Sequence, residues 1–246
     1  MFAARCGAFA ACRLDTMREI LKRTGRVIGA GAGAVTLLGL GYIAVTWFRC
    51  GKVARVGRAE TLLDRFMPTY EVGERHETRV AAPALVTYRA ACELDLQRSV
   101  LVRAIFRGRE LLMGAERSQQ QRHRRFLQEV LAIGWGVLAE EPGREIVFGA
   151  VTQPWRANVR FRALSPSDFA QFSEPGYAKI AWTLAAEPLG PNTSVFRTET
   201  RVATTDAASR RRFRRYYWAV FSPGILLIRR ESRRLVRAEA EARGPR

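Results

Sequence analysis

The sequence predicts an α+β domain in which a curved antiparallel sheet wraps a long C-terminal helix, preceded by one transmembrane helix. Three observations lead to this prediction. An uncharged apolar stretch of 22 residues occupies 27–48. From Trp135 onward, short alternating segments are separated by turn residues, as in antiparallel sheets. Aromatic and arginine residues then recur at helical spacing from Ala207. Because a sheet must cover its apolar face, we expect this final helix to pack on it.

The stretch 27–48 is long enough to span a bilayer, which takes roughly 20 apolar residues in a helix. It ends in Trp47 and Phe48, which are typical of a membrane interface. No small-residue cleavage site follows, so we expect an uncleaved anchor and not a signal peptide. Basic residues flank both sides almost equally, with a small excess on the N-terminal side that favours an inside N-terminus. That excess disappears if translation begins at Met17. The sequence therefore does not determine on which side of the membrane the soluble domain lies.

The same stretch contains Gly29-x-Gly31-x-x-Ala34, which has the form of a dinucleotide-binding fingerprint. The context disfavours a Rossmann domain, because residues 17–26 are not an apolar strand and 49–55 lack the acidic residue that would bind the ribose. We therefore assign these small residues to the anchor.

The net charge of +18 is unevenly distributed along the chain. Residues 1–58 carry +8 and residues 210–246 carry +9, whereas 59–209 carry +1. A nearly neutral middle between basic ends favours contact of the Arg-rich C-terminal helix with anionic lipid headgroups, and makes nucleic acid an unlikely partner. The alternative is codon usage without any partner, since Arg outnumbers Lys 38 to 3.

Metal and cofactor chemistry find no support in the residue counts. The four cysteines show no CxxC spacing, and the chain has two histidines, His76 and His123. No nucleophile motif accompanies either histidine. We therefore expect no metal, no cofactor and no assigned catalytic residue.

The first elements of the globular part are a strand and two helices. Tyr70–Val80 alternates, with Glu74, His76, Thr78 and Val80 on one face and charged residues on the other, which should face water. Pro83 is suited to begin the next helix, and a second helix is predicted over 97–113. A polar surface segment is predicted over 114–125, followed by a short helix over 126–133.

The sheet is predicted to continue as a hairpin, three further strands and the final helix. The hairpin joins Trp135–Glu140 to Glu145–Val151, and the turn sequence Glu-Pro-Gly-Arg at 141–144 favours a type II turn. The remaining elements are the strands Asn158–Leu164, Ala178–Ala186 and Ser194–Thr204 and a helix from Ala207 to Arg237, interrupted at Pro223-Gly224.

This order, with Val80-x-Ala82-Pro83-x-x-Val86 at the first strand-to-helix junction, resembles the START-like or SRPBCC superfamily of helix-grip proteins over about residues 68–236. The chain then divides into a basic N-terminal segment, a transmembrane helix, a basic juxtamembrane linker, the START-like domain and a basic tail, at 1–26, 27–48, 49–67, 68–236 and 237–246.

The resemblance implies a hydrophobic ligand, such as a lipid, sterol or polyketide intermediate, held between sheet and helix. We expect a lipid or other apolar small molecule as partner, with carriage favoured over catalysis because inward-facing polar groups are few. Alternation places the following candidates on the inner side: His76, Thr78, Ile146, Phe148, Ile180, Trp182, Leu184, Phe196, Thr198, Tyr217 and Phe221. A fully packed core would use the same residues, and the sequence leaves that alternative open.

Two other functions stay open. One is a cyclase, aromatase or hydratase of the same fold, which would need His76 or Glu199 inside the cavity. The other is an interaction protein without a ligand, using the Arg-rich helix. Arg197, Glu199 and Arg201 are expected as a solvated charge ladder on the outer face, unless inside and outside of that strand are reversed.

Overall fold

The computed structural model describes residues 54–55, 61–114, 126–216 and 222–244. All of them lie in one of the two units into which the chain divides, Cys50–Arg246. The predicted transmembrane segment 27–48 and the candidates Tyr217 and Phe221 lie outside the described residues. Among the helices that are described, none combines the length and the apolar character needed to cross a membrane.

The described part of the chain has the predicted elements in the predicted order, together with short elements that the sequence does not predict. The strands are β1 Ala54–Arg55, β2 Thr69–Tyr70, β3 Val72–Val80, β4 Gly136–Glu141, β5 Glu145–Thr152, β6 Phe161–Arg162, β7 Ala178–Gly190 and β8 Thr193–Thr204. The α-helices are α1 Leu62–Phe66, α2 Ala84–Glu93, α3 Val100–Met113, α4 Phe126–Ala132, α5 Pro166–Gln171, α6 Ala207–Tyr216 and α7 Ser222–Arg243, with a 3₁₀ turn at Leu96–Arg98.

The main sheet is antiparallel throughout and has the strand order β3-β8-β7-β5-β4, with β6 paired to β5. The strands β1 and β2 form a separate two-stranded ladder. The register shifts between Val137 and Ala139 in β4 and between Pro188 and Gly190 in β7. Such bulges bend the strands and increase the twist, which curves the sheet.

Local sequence explains two of the junctions. Pro83 lies at the N-cap of α2 with extended backbone, and its carbonyl accepts a hydrogen bond from Thr87 N at 3.0 Å. Between β4 and β5, Gly143 has φ +78° and Arg144 N donates to Glu141 O at 3.0 Å. Both the helix start at Pro83 and the glycine turn of the predicted hairpin are thereby confirmed.

The inner face of the sheet is covered by α2 and α7. Side chains from β5, β7 and β8 meet residues of both helices in one apolar cluster whose buried members include Tyr88, Ala91, Ile146, Phe148, Leu184, Phe196, Val236 and Ala240. At the far end of the same face, Phe213 and Tyr216 of α6 pack on Ile180 and Val202. A C-terminal helix on a curved antiparallel sheet is the helix-grip arrangement that the sequence predicts.

The outer face is also covered, which the sequence analysis did not predict. Short helices α1 and α5 bring Leu62, Leu63 and Phe169 onto Val147, Val151 and Ala181. This coverage changes the environment of the neighbouring charged residues. Glu199 and Arg201, expected in solvent, are buried beneath α1.

Two further element predictions need correction. Of the predicted strand Asn158–Leu164, Phe161–Arg162 forms strand structure. The predicted helix from Ala207 to Arg237 is described as α6 and α7, and Pro223-Gly224 lies in the first turn of α7. A proline is tolerated there, because the first turn lacks an acceptor for its missing N–H.

Candidate functional site

The inner face changes in chemistry from one edge of the sheet to the other. Strand register aligns Glu74 with Thr200, Thr200 with Trp182, and Trp182 with Phe148. The next row aligns His76, Thr198, Leu184 and Ile146 in the same way. Each row therefore begins with polar groups on β3 and β8 and ends with apolar groups on β7 and β5.

The polar edge contains four charged or titratable side chains, which we call the polar cluster: Glu74, His76, Arg229 and Arg233. Arg229 Nη1 lies 2.6 Å from Glu74 Oε2, and the two side chains are 12% and 19% exposed. His76 Nε2 lies 3.9 Å from the same carboxylate oxygen. One helical turn beyond Arg229, Arg233 Nη1 donates to the carbonyl oxygen of Glu77 at 3.3 Å.

The environment of His76 favours the neutral imidazole. Burial lowers the pKa of His76 from its ordinary value, and the positive charges of Arg229 and Arg233 lower it further. Glu74 acts in the opposite direction but does not offset them. A neutral imidazole in reach of the inner face offers one hydrogen-bond donor and one acceptor to a bound molecule.

The apolar edge contains five rings, which we call the aromatic cluster: Phe126, Trp135, Phe148, Phe161 and Trp182. Trp182 stacks on Phe148 with ring centroids 4.4 Å apart, meets Trp135 edge-on at 5.8 Å and lies 5.7 Å from Phe126. Trp135 in turn stacks on Phe161 at 4.8 Å. Offset stacked and edge-to-face pairs are each favourable by about 0.5–1.5 kcal/mol beyond the burial of their area.

A glycine at the end of α4 makes this cluster possible. Gly134 has φ +102°, a left-handed conformation that ends helices and that side chains other than glycine rarely adopt. A Cβ at this position would clash with the carbonyl oxygen of Phe161. Gly134 therefore lets the chain turn while β6 approaches closely enough for Phe161 to stack on Trp135.

The predicted site residues fall into three groups by accessibility. Sealed within the apolar cluster under α2 and α7 are Ile146, Phe148, Leu184 and Phe196. Ile180 is also buried, but at the other end, beneath α6. Part of the surface stays accessible on His76, Thr78, Trp182 and Thr198. The structure thus places all nine described candidates on one face, and the accessible four include His76 of the polar cluster and the large aromatic side chain of Trp182.

Sequence reasoning missed several residues that complete this face. Thr200 continues the alternation of Phe196 and Thr198, and that period was a usable signal. Arg229 and Arg233 share one side of α7 by their spacing of four, but their pairing with β3 joins residues about 155 positions apart. No local pattern reports such a contact.

Glu199 does not belong to this site. It lies on the outer face, where Arg201 Nε contacts its carboxylate at 2.7 Å and Arg201 Nη1 contacts Asp64 at 2.7 Å. The side chains of all three are at most 8% exposed. Inside and outside of β8 are therefore as predicted, and the burial of Glu199 comes from α1.

The lining of a further cavity shares no residue with the polar cluster or the aromatic cluster. A cavity of about 260 Å³ between the end of α2 and the end of α7 is lined by charged groups that pair with one another, Arg243 with Glu93 and Glu239, and Arg98 with Asp95. Within the described ranges, no group of three His, Cys, Asp or Glu side chains has a metal-binding arrangement.

Comparison with known proteins gives likeness of fold alone. No protein-family profile matches the chain, and no curated protein matches it. The di-domain ARO/CYC BexL from the BE-7585A biosynthetic pathway is 13% identical, with a TM-score of 0.32 over 69% of this chain. That alignment spans 46% of the length of BexL, less than half of the two-domain protein.

Two further solved structures show the same level of likeness. A protein from Chromobacterium violaceum is 12% identical, with a TM-score of 0.32 over 69% of this chain and 96% of its own. The Zhui aromatase/cyclase from Streptomyces sp. R1128 is 13% identical, with a TM-score of 0.25 over 70% of this chain and 94% of its own. The helix-grip description accordingly rests on the strand order and helix packing given above.

Proposed function

We propose that the inner face of the sheet binds an apolar small molecule that has one polar end. The observation that carries this proposal is the row from Glu74 through Thr200 and Trp182 to Phe148. A molecule lying along it would place its polar end at the polar cluster and its apolar part against the aromatic cluster. Binding sites for small molecules commonly combine an apolar lining with a few convergent polar groups.

The alternative of a fully packed core explains the sealed residues but not the accessible ones. In the centre of the sheet, Thr198, Thr200 and Trp182 keep part of their surface accessible, while Phe148 and Leu184 beside them are buried. A side chain as large as Trp stabilises a core by removing its surface from water, and partial exposure leaves some of that stabilisation unused. A ligand would cover this remaining surface.

We further propose that the protein acts beside a bilayer. The support is the uncharged stretch 27–48 together with the basic surface of α6, where Arg211, Arg212 and Arg215 are exposed while Phe213 and Tyr216 face the core. An anchor would keep the binding face close to a membrane-dissolved ligand, and exposed arginines would attract anionic headgroups, at about 1 kcal/mol each near the surface.

A cyclase- or hydratase-type enzyme is the second candidate, and the polar cluster favours it. His76 is held neutral by burial and by neighbouring positive charge, and a neutral imidazole can accept a proton from a bound molecule. On this proposal Arg229 and Arg233 would stabilise negative charge that develops on the ligand. Turnover lost in His76→Gln with ligand affinity retained would distinguish this function from carriage.

The test is native mass spectrometry of the full chain, purified in lipid nanodiscs from a bacterial host and transferred into the gas phase. We expect a stoichiometric bound mass on the wild type and its loss in Trp182→Leu, which removes the stacking ring. Trp155→Leu is the matched control, because Trp155 is also partly buried but packs on the cluster beneath α6. A wild type without bound mass after incubation with a lipid panel, or equal retention in both variants, would contradict the proposal.

A further inference from the structure

The polar cluster carries a surplus of positive charge. Glu74 is matched by Arg229, at 2.6 Å. In the part of the chain that the structure describes, Arg233 makes no ion pair, and its Nη1 donates to the backbone oxygen of Glu77 at 3.3 Å. With His76 neutral, one formal positive charge at this edge of the inner face has no counter-charge within the described ranges.

The cluster also contains nitrogen atoms without hydrogen-bond partners among the described residues. Arg233 Nε and His76 Nε2 are both buried and unpaired in hydrogen bonding. A buried polar atom in this state is unfavourable, and more so when the group is charged. A water molecule would satisfy the nitrogen atoms but would leave the surplus charge in place.

Arg229 and Arg233 both contact the part of β3 that contains His76. Arg229 and Arg233 contact the carbonyl oxygens of Glu74 and Glu77, on either side of His76 in β3. From His76 the row continues over Thr198 toward the apolar strands. A hydrogen-bond acceptor bound between His76 and Arg233 would be the polar end of a ligand. The apolar part of that ligand would lie along the row toward β7 and β5.

We propose that the ligand of the inner face is an amphiphile ending in a carboxylate, which is bound by the guanidinium of Arg233 and the imidazole of His76. This inference rests on the proposed binding function and specifies its ligand class. A carboxylate supplies one negative charge and two acceptor oxygens, one for each unpaired nitrogen, in the tautomer that carries the His76 proton on Nε2.

The experiment measures equilibrium binding of two matched pairs of radiolabelled probes to the full chain in phosphatidylcholine nanodiscs, with empty nanodiscs subtracted. The pairs are dodecanoate with dodecan-1-ol, and 2-naphthylacetate with 2-naphthylethanol. In each pair the apolar part is the same and the carboxylate is replaced by a neutral hydroxyl. For at least one pair we expect the wild type to bind the acid about tenfold or more tightly, the size typical of a hydrogen bond to a charged group.

Three variants test whether the acid preference arises at Arg233. In Arg233→Gln we expect acid affinity to fall about tenfold while alcohol affinity stays unchanged. Arg230→Gln is the control, since it removes the same charge from an exposed position three residues away on α7. Arg233→Lys should retain part of the acid preference.

The outcomes separate this inference from the function on which it rests. Equal binding of acid and alcohol by the wild type overturns the carboxylate assignment and leaves the binding function standing. Loss of both probes in Arg233→Gln, or loss of acid preference in Arg230→Gln, also overturns it. Failure of the wild type to bind any of the four probes above empty nanodiscs contradicts both proposals.

Discussion

The two faces of the sheet hold their charged groups in opposite ways. On the outer face, Arg201 lies 2.7 Å from both Asp64 and Glu199, donates to the carbonyl oxygen of Met67 and sits 4.6 Å above the ring of Tyr70. This network is sealed beneath α1. On the inner face, the polar cluster is partly accessible, and its Arg233 makes no ion pair with a described residue.

The difference separates a structural role from a binding role. A buried charge needs partners on every side, because leaving it uncompensated in the protein interior is unfavourable by several kcal/mol. The Arg201 network meets that requirement from within the fold. The polar cluster meets it in part, and on our proposal the carboxylate of a ligand supplies the remaining anionic partner. The pairing of charges thus distinguishes the two faces better than residue type does.

The largest effect is expected on the outer face. Arg201→Met would leave Asp64 and Glu199 buried without their shared cation, and we expect the free energy of unfolding to fall by about 3–5 kcal/mol. Chemical denaturation of the full chain measures this. Arg144→Met is the control, since it removes an exposed pair with Glu141 and should change stability by less than about 1 kcal/mol. Similar effects of both substitutions would contradict the structural role assigned to the Arg201 network.

An intermediate effect is expected where Gly134 positions the aromatic cluster. Gly134→Ala combines a left-handed φ with a contact to Phe161 O, so we expect a loss of about 2–3 kcal/mol and a change in tryptophan fluorescence. Gly108→Ala in α3 should have the opposite sign, a gain of about 0.5–1 kcal/mol, because nothing lies within 4 Å of the new methyl group. Equal signs would contradict the geometry assigned to Gly134.

The smallest effect is the pH dependence contributed by His76. Burial and the nearby arginines lower the pKa of His76 in the folded state, so the unfolded chain binds more protons as pH falls below the ordinary value of 6.5. This contribution to stability is complete above pH 6.5 and is lost on acidification through the folded pKa. His76→Gln should therefore gain in stability relative to the wild type between pH 8 and pH 5.5. A difference that is constant with pH would contradict the lowered pKa.

Much of the sheet was predictable because its signals are local. Alternation with period two placed His76, Thr78, Trp182 and Thr198 on one face, and proline and glycine marked the start of α2 and the tight hairpin turn. Their role in ligand binding stays a prediction. The faces could be assigned because Ile180, Trp182 and Leu184 occupy alternate positions of β7, and Phe196 and Thr198 follow the same period in β8.

The remainder depended on contacts between distant parts of the chain. Helices α1 and α5 have five and six residues, too few for a helical period to appear in the sequence. Without them, Glu199 and Arg201 resemble solvated strand residues. In the same way, the contact of Arg233 with β3 depends on where α7 lies, which the spacing of its arginines does not report. The sequence pattern therefore predicts where the strands and helices lie, but it does not predict which residues pair with the charged side chains.

The most direct test of a ligand on the inner face is photo-crosslinking with dodecanoate that carries a diazirine at its last carbon. The full chain in nanodiscs would be irradiated, digested and mapped by tandem mass spectrometry, with and without excess unlabelled dodecanoate. We predict competable labelling of the aromatic cluster, at Trp135 and at the segments of β5 and β7 that contain Phe148 and Trp182. Labelling confined to 27–48 or to the outer face, or labelling that competitor does not reduce, would contradict the account.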